Sequence, residues 1–140
     1  MELRVENKNG KKIIFDAFRQ KWVALTPEEG VRQQFCQFLV DHKSYPQICV
    51  ATECNLSVNS QSQRCDVVVY KKGVPVLLVE CKAPSVKISQ QTINQVLRYN
   101  TQLHVPYLVV TNSIETYCFA INYQNLKATP LTDIPAYNAL

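Results

Sequence analysis

Residues 64–84 read RCDVVVYKKGVPVLLVECKAP, two apolar runs on either side of Lys71-Lys72-Gly73. β-Branched runs separated by a Gly-containing turn predict a β-hairpin, and both are long enough to be central strands. Charged groups are confined to the far ends: Asp66 opens the first strand, and Glu80 and Lys82 close the second. A hairpin centred on Gly73 sets Val68 opposite Leu78, Asp66 opposite Glu80 and Cys65 opposite Cys81. Side chains alternate between faces along a strand, so Asp66, Glu80 and Lys82 are expected on one side. Two carboxylates facing each other across strands repel, and a divalent cation between them removes the conflict. Without metal, Asp66→Asn is therefore expected to leave the domain at least as stable as before.

The rest of the chain frames that hairpin as part of a single domain. It has 140 residues, enough for one core and too few for two, with 46% apolar and 19% charged residues. The net charge of +4 is a mild lean toward anionic partners. No run approaches a membrane span, and MELRVENKNGKK lacks the apolar segment of a signal peptide, so a cytoplasmic location is expected. The six cysteines form no CxxC, and His42 and His104 complete no zinc pattern. Cys65 and Cys81, opposed on the hairpin, have disulfide spacing in principle, but reduced core thiols are the favoured reading.

Working outward, residues 1–25 predict a strand or hairpin arm whose Phe15, Phe18 and Trp22 fold back on the body. Arg4, Lys8, Lys11, Lys12 and Arg19 read there as a solvated face. Thr26-Pro27-Glu28-Glu29 is a capping box that opens a helix carrying Val31, Phe35, Phe38 and Leu39 as its buried stripe to about His42. Glu28 is spaced to share that inward face and Glu29 is not. Glu28 reads equally well as a first-turn carboxylate on the helix dipole. QICVATECNLSV predicts a first core strand, with Glu53 toward an edge or solvent. The polar run NSQSQ leads from it into the hairpin.

Ala83-Pro84 ends the second hairpin strand. A second helix starts near Ser89, with Ile93, Val96, Leu97 and Asn100 on one face and Gln91, Gln95, Tyr99 and Gln102 on the neighbouring one. VPYLVVT and TYCFAIN predict two further strands, and residues 123–140, punctuated by proline, a surface-hugging or frayed tail. The fold class expected is α/β, in the order α-β-β-β-α-β-β, with the arm at 1–25 and the core at 26–122.

Asp66, and Glu80-Cys81-Lys82 on the next strand, suit one chemistry. Two carboxylates and the backbone carbonyl of Cys81 are hard oxygen ligands for Mg²⁺. Lys82 on the same face can orient or deprotonate a water, while the metal polarises a phosphoryl oxygen. An E-x-K triplet alone is weak evidence. It is rarer on a buried apolar strand, where uncompensated charge is expensive.

These residues, with TPEEGVRQQF, VLLVECKAP, Gln95-Val-Leu-Arg-Tyr99 and Val109-Val-Thr-Asn, make the chain resemble the N-terminal nuclease domain of type I restriction enzyme R subunits. That family lies within the PD-(D/E)xK nuclease superfamily, and the likeness spans roughly residues 13–122. It implies a restriction-endonuclease-like α-β-β-β-α-β core, a mixed sheet flanked by helices. It further implies Asp66 and Glu80 as metal ligands, Lys82 as the catalytic lysine and Glu28 as the acid of the first helix. Gln95 and Tyr99 match the Q-x-x-x-Y motif of RecB-like nucleases, beside the active site and DNA. Arg64-Cys65 stands where the superfamily's name has proline. The chain contains no G-x-x-x-x-G-K-[ST] loop, so no ATP hydrolysis is expected from it.

The function expected is Mg²⁺-dependent DNA endonuclease, with Mn²⁺ able to substitute. The partners implied are DNA and the motor, specificity and methylation subunits of a restriction-modification system. The alternatives are a module on a nuclease fold that binds nucleic acid or a partner without cutting, and a structural domain in which Glu80 and Lys82 form a satisfied pair and Asp66 caps a strand. Retention of the buried like charges Asp66 and Glu80 favours cleavage.

Overall fold

The computed structural model describes residues 2–58 and 61–140, with the side chains of Val58, Gln61 and Gln102 left aside. The expected polar-face position of Gln102, and Asn59 and Ser60 of the NSQSQ run, thus lie outside the description. Three strands, β1 (Val5–Lys8), β2 (Lys11–Asp16) and β3 (Lys21–Ala24), form an antiparallel sheet at the N-terminus. Helix α1 (Pro27–His42) follows. A six-stranded mixed sheet then runs β4 (Val50–Val58), β5 (Gln61–Lys71), β6 (Val74–Cys81), β7 (Tyr107–Thr111), β8 (Thr116–Asn122) and β9 (Lys127–Leu131), in that spatial order. Helix α2 (Gln90–Leu103) connects β6 to β7, the sheet's parallel pair. A strand pair running in the same direction needs such a crossover.

The helices cover opposite faces. Val31, Phe35, Cys36 and Leu39 of α1 pack on Val67, Val69, Leu77, Val79, Cys81 and Val109. On the other face Val96 and Leu97 of α2 meet Val68, Leu78 and Leu108. Leu77, Leu78 and Val79 are therefore all buried, which is why β6 reads as an unbroken apolar run rather than an alternating one. Thr26 Oγ1 accepts the Glu29 N–H at 3.0 Å, as the capping box predicts. Ser89 caps α2 by accepting the Thr92 N–H.

The β5–β6 hairpin forms with the expected register near its open end: Val67 pairs with Val79, Val68 with Leu78 and Val69 with Leu77. Lys72 and Gly73 have φ of 53° and 77°, the left-handed pair that a tight two-residue hairpin turn needs. A bulge between Val69 and Tyr70 absorbs one residue before the turn. The disulfide geometry, however, does not arise. Cys65 lies across from Cys54 on β4 and packs toward α2, Cys81 packs toward α1, and all six thiols are free.

The N-terminal arm forms strands as its sequence predicts, and the C-terminal tail is more structured than its composition suggests. Phe15 and Trp22 meet edge to face at 5.4 Å with Arg4 stacked over them, while Phe18 packs on the main core. The proline-punctuated tail is not frayed. Residues Lys127–Leu131 add β9 to the sheet, Ile134 is buried, and Tyr137 packs edge to face on Tyr45 at 5.7 Å. Pro130 is tolerated because β9 is an edge strand.

Candidate active site

The last ladder pair of the hairpin is Val67–Val79, so Asp66 and Glu80 lie one step beyond it at the open end. Their side chains diverge from the single-sided arrangement expected. Asp66 turns toward α1: its Oδ1 accepts from Arg32 Nη2 at 2.9 Å and its Oδ2 from the Cys81 N–H at 2.7 Å. Glu80 borders a narrow pocket under α2 together with Arg64, Cys65, Val96 and Tyr99. The cause lies in β4 and β5. Glu53 has a left-handed φ of 48°, and it and Asp66 drop out of an otherwise continuous ladder. Lys82 Nζ stands 3.2 Å from Glu80 Oε1, both side chains one-third exposed. On α2, Gln95 Nε2 approaches the Tyr99 hydroxyl at 3.4 Å, and Tyr99 is largely exposed.

The burial of the two first-helix acids is reversed from the spacing argument. Glu29 is buried and Glu28 has a side chain 50% exposed. The expected stripe Val31, Phe35 and Leu39 is buried, and the inward face of α1 widens beyond it to take in Glu29, Arg32, Gln33 and Cys36. Glu28 stays at the cleft mouth, 3.8 Å from Arg32 Nη2. Glu53 is also inward rather than edge-facing, its side chain 14% exposed and paired with both Arg32 and Arg64.

Arg32 is the residue that sequence reasoning missed. Its guanidinium meets Glu29 at 2.7 Å, Glu53 at 2.5 Å and Asp66 at 2.9 Å. Arg19, expected on a solvated face, continues the network by bridging Glu29 at 2.6 Å and Asp16 at 2.5 Å. Asp16, fully buried, accepts the Thr52 hydroxyl at 2.7 Å and thereby joins the small sheet to β4. The available signal was the E-E-x-x-R spacing in TPEEGVRQQF, since Arg32 lies one turn before buried Cys36 and two before Leu39.

Beside this network opens a cleft of about 560 Å³ whose walls include Arg19, Glu28, Glu29, Arg32, Glu53, Arg64 and Ala83. Asp16, Glu28, Glu29, Glu53, Asp66 and Glu80 face Arg19, Arg32, Arg64 and Lys82. Carboxylates outnumber cations in this cluster, six to four. Burial, then the charge of Asp66, raises the Glu80 carboxyl above its ordinary value, against the pull of Lys82. The Asp16 carboxyl is raised by burial, but bonds from Thr52, Arg19 and Phe18 outweigh that and hold it below the usual value.

Among the described residues no three metal-ligating side chains already converge. Mg²⁺ does not require that, because it keeps several waters and takes one or two carboxylates. Asp66, Glu80 and the Cys81 carbonyl are the right donor type, and a cluster richer in carboxylates than in cations suits a divalent cation.

The chain matches the family model described as type I restriction enzyme R protein N terminus over residues 27–135. Its fold is similar, at a TM-score of 0.56 and 17% identity, to a fragment structure titled as an HsdR subunit of a type I restriction enzyme from Vibrio vulnificus YJ016. The alignment covers 80% of this chain and 24% of that one, so the chain spans about a quarter of the longer protein. No curated protein matches.

Proposed function

Because the chain belongs to the type I restriction enzyme R protein N-terminus family, we propose that it is a nuclease domain that hydrolyses DNA phosphodiester bonds with Mg²⁺. The observation that carries this reading is the Asp66–Glu80–Lys82 group at the open end of β5 and β6, with Glu80 held above its usual pKa by burial and by Asp66. Asp66, Glu80 and the Cys81 carbonyl would hold the cation, which when bound polarises a phosphoryl oxygen and offsets charge developing on it. Lys82, 3.2 Å from Glu80, would hold and orient the attacking water by donating from its ammonium group. Gln95 and Tyr99, on the exposed face of α2, position substrate. DNA is the substrate, and translocation, specificity and methylation belong to other parts of the restriction-modification system.

The second reading, a module that binds DNA or a partner without cutting, is favoured by the engagement of Asp66 with Arg32. Plasmid nicking separates the two. With Mg²⁺ the wild type is expected to cut and Lys82→Ala and Glu80→Ala to lose cleavage. Both variants should retain most DNA affinity, since Lys and Arg contacts to phosphate dominate non-specific binding. A wild type that binds DNA but never nicks it supports the second reading. Near-normal cutting by Lys82→Ala would sink the assignment of that residue.

A further inference from the structure

Arg32 is buried, with a side chain 6% exposed, in the middle of the acids just described. The use of its five N–H groups is uneven. Nη2, with two hydrogens, faces Glu53 Oε1 at 2.5 Å, Asp66 Oδ1 at 2.9 Å and Glu28 Oε1 at 3.8 Å. Nε is buried with no acceptor among the described residues. An arginine with a purely architectural task is ordinarily satisfied all round. Here the fork instead crowds its positive end against the carboxylates where a cation is needed, at the expense of its own Nε.

We propose that Arg32 is the built-in counter-ion of the metal site, a positioning residue that holds Asp66 without metal and is displaced from it when a divalent cation binds. This rests on the metal-binding reading of Asp66 and Glu80 given above. Displacement leaves Arg32 with partners, because Nη1 keeps Glu29 at 2.7 Å and Nη2 keeps Glu53 at 2.5 Å. Asp66 also stays anchored, because Oδ2 still accepts the Cys81 N–H at 2.7 Å. Only the Nη2–Oδ1 contact is exchanged, so the site passes from one cation to another without exposing a bare carboxylate. The Glu53 backbone, in its left-handed conformation, presents the acid that keeps Arg32 close to hand.

The test is Mn²⁺ affinity, measured by calorimetry or by the electron paramagnetic resonance of free Mn²⁺, on the 140-residue chain without DNA. Removing a competing positive charge beside the site in Arg32→Gln is expected to tighten Mn²⁺ binding on the order of tenfold, although the variant melts earlier. Equal or weaker binding by Arg32→Gln overturns the proposal and leaves Arg32 a structural residue. A measurement on the wild type removes dependence on the variant's folding. The Arg32 Nε–H signal, followed by nitrogen-15 NMR, is expected to shift on Mg²⁺ titration with the half-saturation found by calorimetry. A signal unmoved by saturating Mg²⁺ overturns the proposal while sparing the nuclease reading. A wild type that binds neither cation overturns both.

Discussion

Asp66 is held by two donors, the Arg32 guanidinium at 2.9 Å and the Cys81 N–H at 2.7 Å. That reverses the expectation that Asp66→Asn is harmless to the metal-free domain. The amide cannot serve both donors as a carboxylate does, and Arg32 loses one of its three close acids. Urea unfolding in the presence of a chelator is expected to show a loss of about 1–3 kcal/mol. Stability equal to wild type would mean the Arg32 contact contributes little. Glu80 behaves in the opposite sense. A carboxyl with a raised folded-state pKa binds its proton more tightly folded than unfolded. Its ionisation is therefore a destabilising contribution, present above the folded pKa and relieved as the pH falls through it. In metal-free protein the wild type should lose stability relative to Glu80→Gln as the pH rises from 4.5 through that raised value. Parallel denaturation series on the two proteins check it, and parallel curves would refute the shift.

At the scale of elements, the small N-terminal sheet is tied to the main one through buried polar bonds. Asp16 at the end of β2 takes the Thr52 hydroxyl from β4 and the Arg19 side chain, and Arg19 reaches Glu29 on α1. Asp16→Asn leaves Arg19 with one acid instead of two and should destabilise the fold by about 3 kcal/mol. Because the Asp16 carboxyl is held below its usual value of 3.8, its contribution is present above that pH and is lost as the pH falls through the depressed folded-state pKa. Acid unfolding should accordingly begin at higher pH in a destabilised Thr52→Val variant, which removes one of the bonds that depress it. An unchanged acid midpoint in that variant would show that Thr52 is not a significant part of the tie.

For the whole molecule, the proposed cation site at one end of the sheet would make cation binding and folding one linked equilibrium. A cation that binds only the folded state stabilises it by about 2.7 kcal/mol at a hundredfold excess over its dissociation constant. The melting temperature of the wild type should rise with Mn²⁺, and that of Glu80→Ala should not. An equal rise in both would place the cation elsewhere. None of the helices among the described residues is long and apolar enough to cross a membrane.

Local patterns were enough to read the hairpin, the two helices with their Thr26 and Ser89 caps, and the spacing of Asp66, Glu80 and Lys82. Each follows from turn residues, β-branched runs or side-chain oxygens within a few positions of one another. The tail strand β9 escaped because its pairing energy comes from β8 and its prolines mask the local signal. Arg32, Glu29 and Glu53 escaped for a different reason. A charged residue is read as exposed until its partner is known, and the partners of Arg32 lie 21 and 34 positions away in the chain. Only the packing of α1 over β4 and β5 brings those charges together. Local pattern is thus sufficient to place Asp66, Glu80 and Lys82 at the open end of one hairpin, and the tertiary structure alone decides that Glu29, Glu53 and Asp66 share Arg32.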